Sequence, residues 1–162
     1  MARIQAAGKG KRGCYQGTVP DTGRKVNVRY TVGGAPKVGP SVTLAWDDPP
    51  GEPGTESVLQ NDLDLSVRTP DKQTLAPFIL DADKPTEAAK TGADRANNIE
   101  QVALASPVAG SYVATVAGNE LAQKNQRFAL VLSDVSTLVK MEIDADGDGA
   151  YAPKDCNDED PK

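Results

Sequence analysis

The sequence predicts an all-β fold: one antiparallel β-sandwich of about eight strands over residues 14–134. Short segments alternate between apolar and polar residues, which is the period of a half-buried strand. Clusters rich in Gly, Pro and Asp, such as "DDPPGEPG" and "SPVAG", separate these segments. The only helix-tolerant stretch, "DKPTEAAKTGADRAN", contains Gly and Pro and is therefore predicted to be a long loop.

Six segments supply the predicted strands, in chain order "KVNVRYTV", "SVTLAW", "LQNDLDLSV", "IEQVAL", "GSYVATVAG" and "QRFALVLS". Successive side chains of a strand point to opposite faces, so the alternating apolar residues are expected to face the core. In "GSYVATVAG" the pattern leaves the register open. The other five place in the core Val26, Val28, Tyr30, Val32, Val42, Leu44, Trp46, Leu63, Leu65, Val67, Val102, Leu104, Phe128, Leu130 and Leu132.

Two shorter segments flank the predicted sandwich. Residues 1–13, "MARIQAAGKGKRG", form a basic arm that we interpret as a linker. The arm lacks the apolar stretch of a secretory signal, so the chain is either cytosolic or a piece of a longer exported protein. Residues 135–162 form a linker followed by an acidic motif. No apolar run approaches the ~20 residues of a membrane span.

The absence of histidine restricts the chemistry that the chain can perform. It removes Ser-His-Asp and Cys-His nucleophile arrangements, the usual zinc sites and the commonest general acid or base. A Ser-Lys pair remains formally possible, but no pattern in the sequence indicates one.

The charge of the chain is concentrated at its C-terminal end. The formal net charge is −5, from 18 basic and 23 acidic residues. Residues 144–162 contain seven acidic residues and two lysines, which leaves 16 of each sign in the rest of the chain. Such a segment can be a solvated, disordered tail, but its regular spacing favours a metal site.

The spacing matches the calcium-loop pattern D-x-[DN]-x-[DN]-G-x₅-E, with Asp at the last position. Calcium takes about six to eight oxygen ligands, and alternating carboxylates converge on one ion only where the chain turns sharply. Gly149 permits that turn. The predicted ligands are Asp144, Asp146, Asp148, the carbonyl of Ala150, and Asp155.

A second acidic set follows directly and comprises Asp155, Asn157, Asp158 and Asp160. It could hold another ion or share ligands with the first. The upstream "STLVKMEI" alternates like a strand or linker, and an EF-hand needs a helix on each side. The motif is therefore predicted to be a calcium loop outside an EF-hand.

Cys14 and Cys156 lie near opposite ends of the sequence. They could pair with each other, remain free thiols, or, for Cys156, pair beyond this chain. Sequence does not fix the connectivity.

The acidic motif resembles the aspartate-rich "DxDGDGxxxxxDCxDxDP" repeats of bacterial secreted and surface proteins, which are akin to thrombospondin type 3 calcium repeats. Such repeats usually continue past the "DP" into a further cysteine-bearing stretch, which this sequence lacks. The matching residues are Asp144, Asp146, Gly147, Asp148, Gly149, Asp155, Cys156, Asp158, Asp160 and Pro161.

Residues 15–133 resemble the C-terminal β-jelly-roll domain of secreted subtilisin-like serine peptidases. That family shows a "W-x-D-P-P" turn, then "V-N-D-L-D-L" leading into "P-x-G", then "D-x-x-N-N-V-E-x-V", "P-x-x-G-x-Y-x-V-x-V" and a closing "Q-x-F-A-L-V". No single piece is specific, but all occur here in order. They are carried by Trp46, Asp48, Pro49, Pro50, Gln60, Asn61, Asp62, Leu63, Asp64, Leu65, Pro70, Asp71, Asp94, Asn97, Asn98, Ile99, Glu100, Val102, Pro107, Gly110, Tyr112, Val116, Gln126, Phe128, Ala129, Leu130 and Val131.

The resemblance implies a non-catalytic accessory domain that packs on a subtilisin-like catalytic domain, stabilises it outside the cell and often binds calcium. It also implies a secreted location, as part of a longer exported chain. The catalytic Asp, His and Ser of such a protease would lie in the neighbouring domain. We expect the domain itself to be a monomer.

Asp62 and Asp64 of "NDLDL" are predicted on the face opposite Leu63 and Leu65. Two carboxylates there are either simply solvated or neutralised by a cation. A calcium ion would then be completed by loop oxygens, for which the candidates are Asp94, Asn97, Asn98 and Glu100. The two asparagines could equally cap a turn.

The alternative function is a free-standing adhesion or carbohydrate-binding sandwich. Glycan platforms usually expose aromatic side chains, whereas only 4% of this chain is aromatic. Nucleic acid is not expected as a partner because the net charge is negative.

Overall fold

The computed structural model describes residues 3–6, 13–32, 40–54, 59–81, 83–133, 138–146, 148 and 151. Within these residues the only regular elements are β-strands. They are β1 (Arg3–Ala6), β2 (Gly13–Val19), β3 (Lys25–Val32), β4 (Ser41–Trp46), β5 (Asn61–Arg68), β6 (Thr74–Leu75), β7 (Phe78–Ile79), β8 (Lys90–Thr91), β9 (Ile99–Ala103), β10 (Gly110–Leu121), β11 (Gln126–Leu132) and β12 (Leu138–Asp144).

Ten of these strands form two five-stranded sheets. The first sheet has the order β1-β2-β11-β4-β9, and the second has the order β12-β3-β10-β5-β6. The ribbon β7-β8 lies apart from both, and all strand pairs are antiparallel. The predicted all-β class and antiparallel pairing are therefore confirmed, and the arrangement is sandwich-like.

The core forms because the alternating residues of both sheets point inward. On β3, for example, Val26, Val28 and Tyr30 are at most 1% exposed, while the residues between them are partly exposed. Every residue predicted to face the core is buried. Burial of such apolar surface is worth about 25 cal/mol per Å² and supplies the main driving force for folding.

The strand count differs from the expected eight because several strands lack a readable pattern. Strands of two residues, such as β6 and β8, are too short to show alternation. The stretch that contains β8 otherwise consists of turns and bends, as expected for a loop.

Two strands lie outside residues 14–134 and nevertheless extend the sheets. β1 pairs with β2 in the first sheet. β12, which contains most of "STLVKMEI", pairs with β3 in the second sheet, with a register shift between Leu138 and Lys140. The acidic motif therefore begins at the end of an edge strand.

No helix in the described ranges is long and apolar enough to cross a membrane.

Candidate metal centre at the end of β12

β12 delivers the first carboxylate of the acidic motif to the end of the second sheet. Strand alternation turns Ile143 into the core, where it is 6% exposed. Asp144 is the last residue of the strand, lies opposite Asn27 of β3 and is fully buried. Beyond it the chain bends at Ala145 and Asp146, so the following carboxylates fold back toward the first.

Three aspartates converge here. Asp144, Asp146 and Asp148 each offer one carboxylate oxygen, and these oxygens all lie within 4.8 Å of one another. Asp146 is 6% exposed and Asp148 is exposed, so the cluster opens to solvent on one side. Oδ1 of Asp146 accepts a hydrogen bond from the Asp148 amide at 3.2 Å. Three converging carboxylates suit a hard cation such as calcium or magnesium.

Neighbouring strands hold Asp144 in place. Asn27 Nδ2 donates to Asp144 Oδ2 at 3.0 Å. The Thr115 hydroxyl on β10 donates to Asn27 Oδ1 at 2.7 Å, which turns the amide so that its NH₂ group faces Asp144. A chain of side chains across three strands therefore sets the orientation of the first carboxylate.

The segment that follows the cluster also returns to the second sheet. The guanidinium of Arg29 lies 3.6 Å from the centre of the Tyr151 ring. The same guanidinium lies 3.8 Å from Glu142 Oε2 on β12. Burial raises the pKa of the Tyr151 hydroxyl. The aspartate cluster is thus tied to β3 at two places: its first member, Asp144, contacts Asn27, and Tyr151 after the cluster contacts Arg29.

The remaining ligands predicted for this motif lie outside the described residues. They are Ala150, Asp155, Asp158 and Asp160. Cys156 also lies outside them, whereas Cys14 lies half-buried on β2.

Asp62 and Asp64, the other two predicted metal ligands, lie on β5 and contact a cation that the chain itself supplies. Arg95 Nη1 lies 2.9 Å from Asp62 Oδ2 and 2.5 Å from Asp64 Oδ1. Asn119 Nδ2 also donates to Asp62 Oδ2, at 2.9 Å. Burial raises the pKa of Asp62, against the opposing effects of Asn119 and Arg95.

The loop before β9 uses its polar side chains mainly for its own conformation. Asp94 Oδ1 accepts hydrogen bonds from the amides of Ala96 and Asn97, at 2.9 and 3.1 Å. Asn97 Nδ2 donates to Asp94 Oδ2 at 2.7 Å, and Asn98 Nδ2 donates to the Trp46 carbonyl at 2.9 Å. These contacts are those of a capped turn.

Glu100 is the most unusual carboxyl group in the described chain. It is 1% exposed, and its Oε2 accepts a hydrogen bond from the Leu65 amide at 2.6 Å. This bond joins β9 of the first sheet to β5 of the second. Within the described residues Oε1 has no hydrogen-bond partner. Burial, assisted by the nearby charges of Asp64, Asp94 and Asp62, raises the pKa of Glu100 to about 8.

The sequence contained the signal for this buried carboxyl. In "IEQVAL", Glu100 has the same parity as Val102 and Leu104, which were assigned to the core. The alternation therefore predicts a buried position for Glu100, in addition to its place among the candidate metal ligands.

The geometry thus brings together three of the predicted ligands at the end of β12 and places Asp62 and Asp64 beside Arg95. Comparison with protein-family models and with curated proteins finds no match for this chain. The functional argument consequently depends on the residues themselves.

Proposed function

We propose that this chain is a calcium-binding, non-catalytic accessory domain of a secreted subtilisin-like serine protease, with a jelly-roll fold. The convergence of Asp144, Asp146 and Asp148 at the end of β12 is the observation that carries the calcium part. It fits the D-x-D-x-D-G pattern, in which these three residues supply the first side-chain oxygens.

Calcium suits this cluster better than a softer metal does. Carboxylate oxygens are hard ligands, and the pattern adds a backbone carbonyl at Ala150 and a closing carboxylate at Asp155. The exposed Asp148 leaves a path for an ion from solvent. In this proposal Asp158 and Asp160 either bind a second ion or share ligands with the first.

The expected consequence of binding is stabilisation of the edge strand β12. An ion would neutralise three carboxylates that otherwise repel one another, two of which are buried. Because Asn27 and Arg29 hold both sides of the cluster on β3, ordering of the cluster favours the docked strand. A ligand that binds only the folded state at a hundredfold excess over its Kd contributes about 2.7 kcal/mol.

The protease part of the proposal is drawn from the resemblance, and separate pieces of that resemblance contact one another in this chain. Asp48 of the "W-x-D-P-P" turn accepts hydrogen bonds from the amides of Gln60 and Asn61, at 2.9 and 2.7 Å. Trp46 Nε1 donates to the Asn61 carbonyl at 2.9 Å. The "W-x-D-P-P" turn and the "V-N-D-L-D-L" segment therefore contact each other directly. This contact is a physical reason for the two motifs to occur together in one sequence.

The alternative of a carbohydrate-binding module receives less support. Five aromatic side chains are each no more than 5% exposed and pack in the core: Tyr15, Tyr30, Trp46, Tyr112 and Phe128. Phe78 is 42% exposed, but a single exposed ring does not form a stacking platform for sugar rings.

Calorimetric titration of the EDTA-treated chain with calcium tests the calcium part. We expect heat of binding and a higher melting temperature, and we expect the event at the acidic motif to be lost in Asp146→Asn/Asp148→Asn. The matched control is Asp81→Asn/Asp83→Asn, which changes an Asp pair of the same spacing in an exposed loop. The calcium proposal is wrong if adding calcium produces no heat of binding and no change in melting temperature. It is also wrong if Asp146→Asn/Asp148→Asn binds calcium like the wild type.

The protease part requires a different test. We expect the gene to encode a subtilisin-like catalytic domain upstream of this segment, and removal of the segment to accelerate heat inactivation of that protease. An adhesin or glycosidase domain in that position would instead favour the adhesion or carbohydrate-binding alternative.

A further inference from the structure

β9 forms one edge of the first sheet, where its only paired neighbour among the described strands is β4. The Trp46 amide donates to the Asn98 carbonyl, and the Leu104 amide donates to the Pro40 carbonyl. In an antiparallel ladder the backbone groups that face one neighbour recur at every second residue. The backbone groups of Glu100 and Val102 therefore face β4, and those of Ile99, Gln101 and Ala103 face away from it.

Within its own residues, β9 lacks several features that usually prevent edge-to-edge association. Such features are charged side chains, proline, bulges and very short strands. The edge strand β12 has a register shift and contains Lys140, and β6 has only two residues. In β9, by contrast, the pairing with β4 is regular over Ser41↔Ala103 to Ala45↔Ile99, and its exposed side chains carry no charge.

Exposed apolar side chains occur on β9 and on a strand beside it. Ile99 is 58% exposed. Phe78 of β7, a strand that lies beside β9, is 42% exposed, and Leu80 directly after it is 78% exposed. Two neighbouring strands therefore both expose apolar side chains, which add apolar surface that a partner polypeptide would remove from water.

The sequence of β9 is complementary to itself. If two copies pair antiparallel with Gln101 opposite Gln101, Ile99 lies opposite Ala103 on the exposed face. On the inward face Glu100 lies opposite Val102, so the two glutamates do not oppose each other. No like charges meet in this register, and like charges directly opposite each other would be destabilising.

We propose that β9 pairs with β9 of a second copy of this chain, about a two-fold axis through Gln101, to form one continuous ten-stranded sheet. Such an interface is isologous, because each copy contributes the same patch. Phe78 and Leu80 would be partly covered beside the new strand pair. The proposal departs from the monomer expected from the sequence, and it is independent of calcium binding.

Cysteine cross-linking tests the register directly, in a Cys14→Ser/Cys156→Ser background that removes the native thiols. Gln101→Cys should form a disulfide-linked dimer under mild oxidation, because directly opposite Cα atoms lie about 5.5 Å apart in such a pair. Ile99→Cys alone and Ala103→Cys alone should not form a disulfide-linked dimer. In the proposed register, position 99 of one chain lies four residues along the strand, or about 13 Å, from position 99 of the other, and the same holds for position 103. A mixture of the Ile99→Cys and Ala103→Cys chains should cross-link.

Sedimentation equilibrium provides the second readout. Gln101→Lys places two ammonium groups opposite each other in the proposed dimer. In the cysteine-free background it should therefore shift the chain from dimer to monomer. At high dilution its melting temperature should equal that of the background chain. Gln16→Lys, the same change on a strand paired on both sides, should leave the dimer intact. A monomeric background chain that also fails to cross-link at 101 would overturn the proposal, and so would cross-linking of Ile99→Cys with itself.

Discussion

Three sets of carboxyl groups in this protein lie in different environments. Asp144, Asp146 and Asp148 face one another. Asp62 and Asp64 share the guanidinium of Arg95. Glu100 lies in the core with one backbone amide as its donor. What each group can do follows from its neighbours: the first set suits a cation, the second already has one, and the third favours the protonated form.

The buried Glu100 predicts an unusual dependence of stability on pH. Its pKa rises from an ordinary 4.5 to about 8 on folding. Between these values the folded chain retains a proton that the unfolded chain has lost, so this group lowers the free energy of unfolding as pH rises through that window. Above pH 8 the full penalty is present.

Glu100→Gln removes this titration and keeps an oxygen acceptor for the Leu65 amide. We expect the variant to be more stable than the wild type by on the order of 4 kcal/mol at pH 9, and close to the wild type at pH 5. Urea unfolding in EDTA at the two pH values measures the difference. Glu120→Gln, at an exposed glutamate of β10, serves as the control. An equal effect of Glu100→Gln at both pH values would contradict the prediction.

At the scale of strands, alternation predicted most of the fold. Where several residues alternate, as in β3 and β5, both the strand and its buried face were predicted correctly. The two-residue strands could not be predicted, because they form from pairing with a neighbour and not from a local pattern. In the same way, the sequence placed Asp62 and Asp64 together but could not show Arg95, since that contact depends on how the loop before β9 folds back.

The position of β12 beside β3 predicts a role for Asn27 in metal binding. Asn27 orients Asp144 through one hydrogen bond, and a bond of this kind to a charged group is worth about 1.5–3 kcal/mol. Asn27→Ala should therefore weaken calcium binding roughly tenfold in calorimetric titration, because Asp144 loses its set orientation.

Asn119→Ala is the matched control for Asn27→Ala. It removes an amide-to-aspartate bond of similar length at Asp62, away from the cluster, and should leave calcium affinity unchanged. If both alanine variants bind calcium like the wild type, Asn27 does not position the site. If only Asn119→Ala weakens binding, the ion lies at β5.

On the scale of the whole molecule, the metal cluster and Glu100 are well separated: the cluster lies at the end of β12, an edge strand of the second sheet, whereas Glu100 projects from β9 of the first sheet to Leu65 on β5. In the order β12-β3-β10-β5, three strand spacings separate β12 from β5, or about 14 Å. Perturbations more than about 7–10 Å apart without shared partners usually add. Calcium and Glu100→Gln are therefore expected to stabilise the protein independently.

A four-condition cycle measures this independence: wild type and Glu100→Gln, each with calcium and with EDTA, in urea unfolding at pH 8. The increase in free energy of unfolding caused by calcium should agree between the two chains to about 0.5 kcal/mol. If the increase caused by calcium differs between Glu100→Gln and the wild type by more than about 0.5 kcal/mol, an ion contacts the carboxyl groups around β5 and β9. If the calcium-induced increase is the same in the two chains, the ion acts away from Glu100. That result is the one expected for an ion at the acidic motif, at the end of β12.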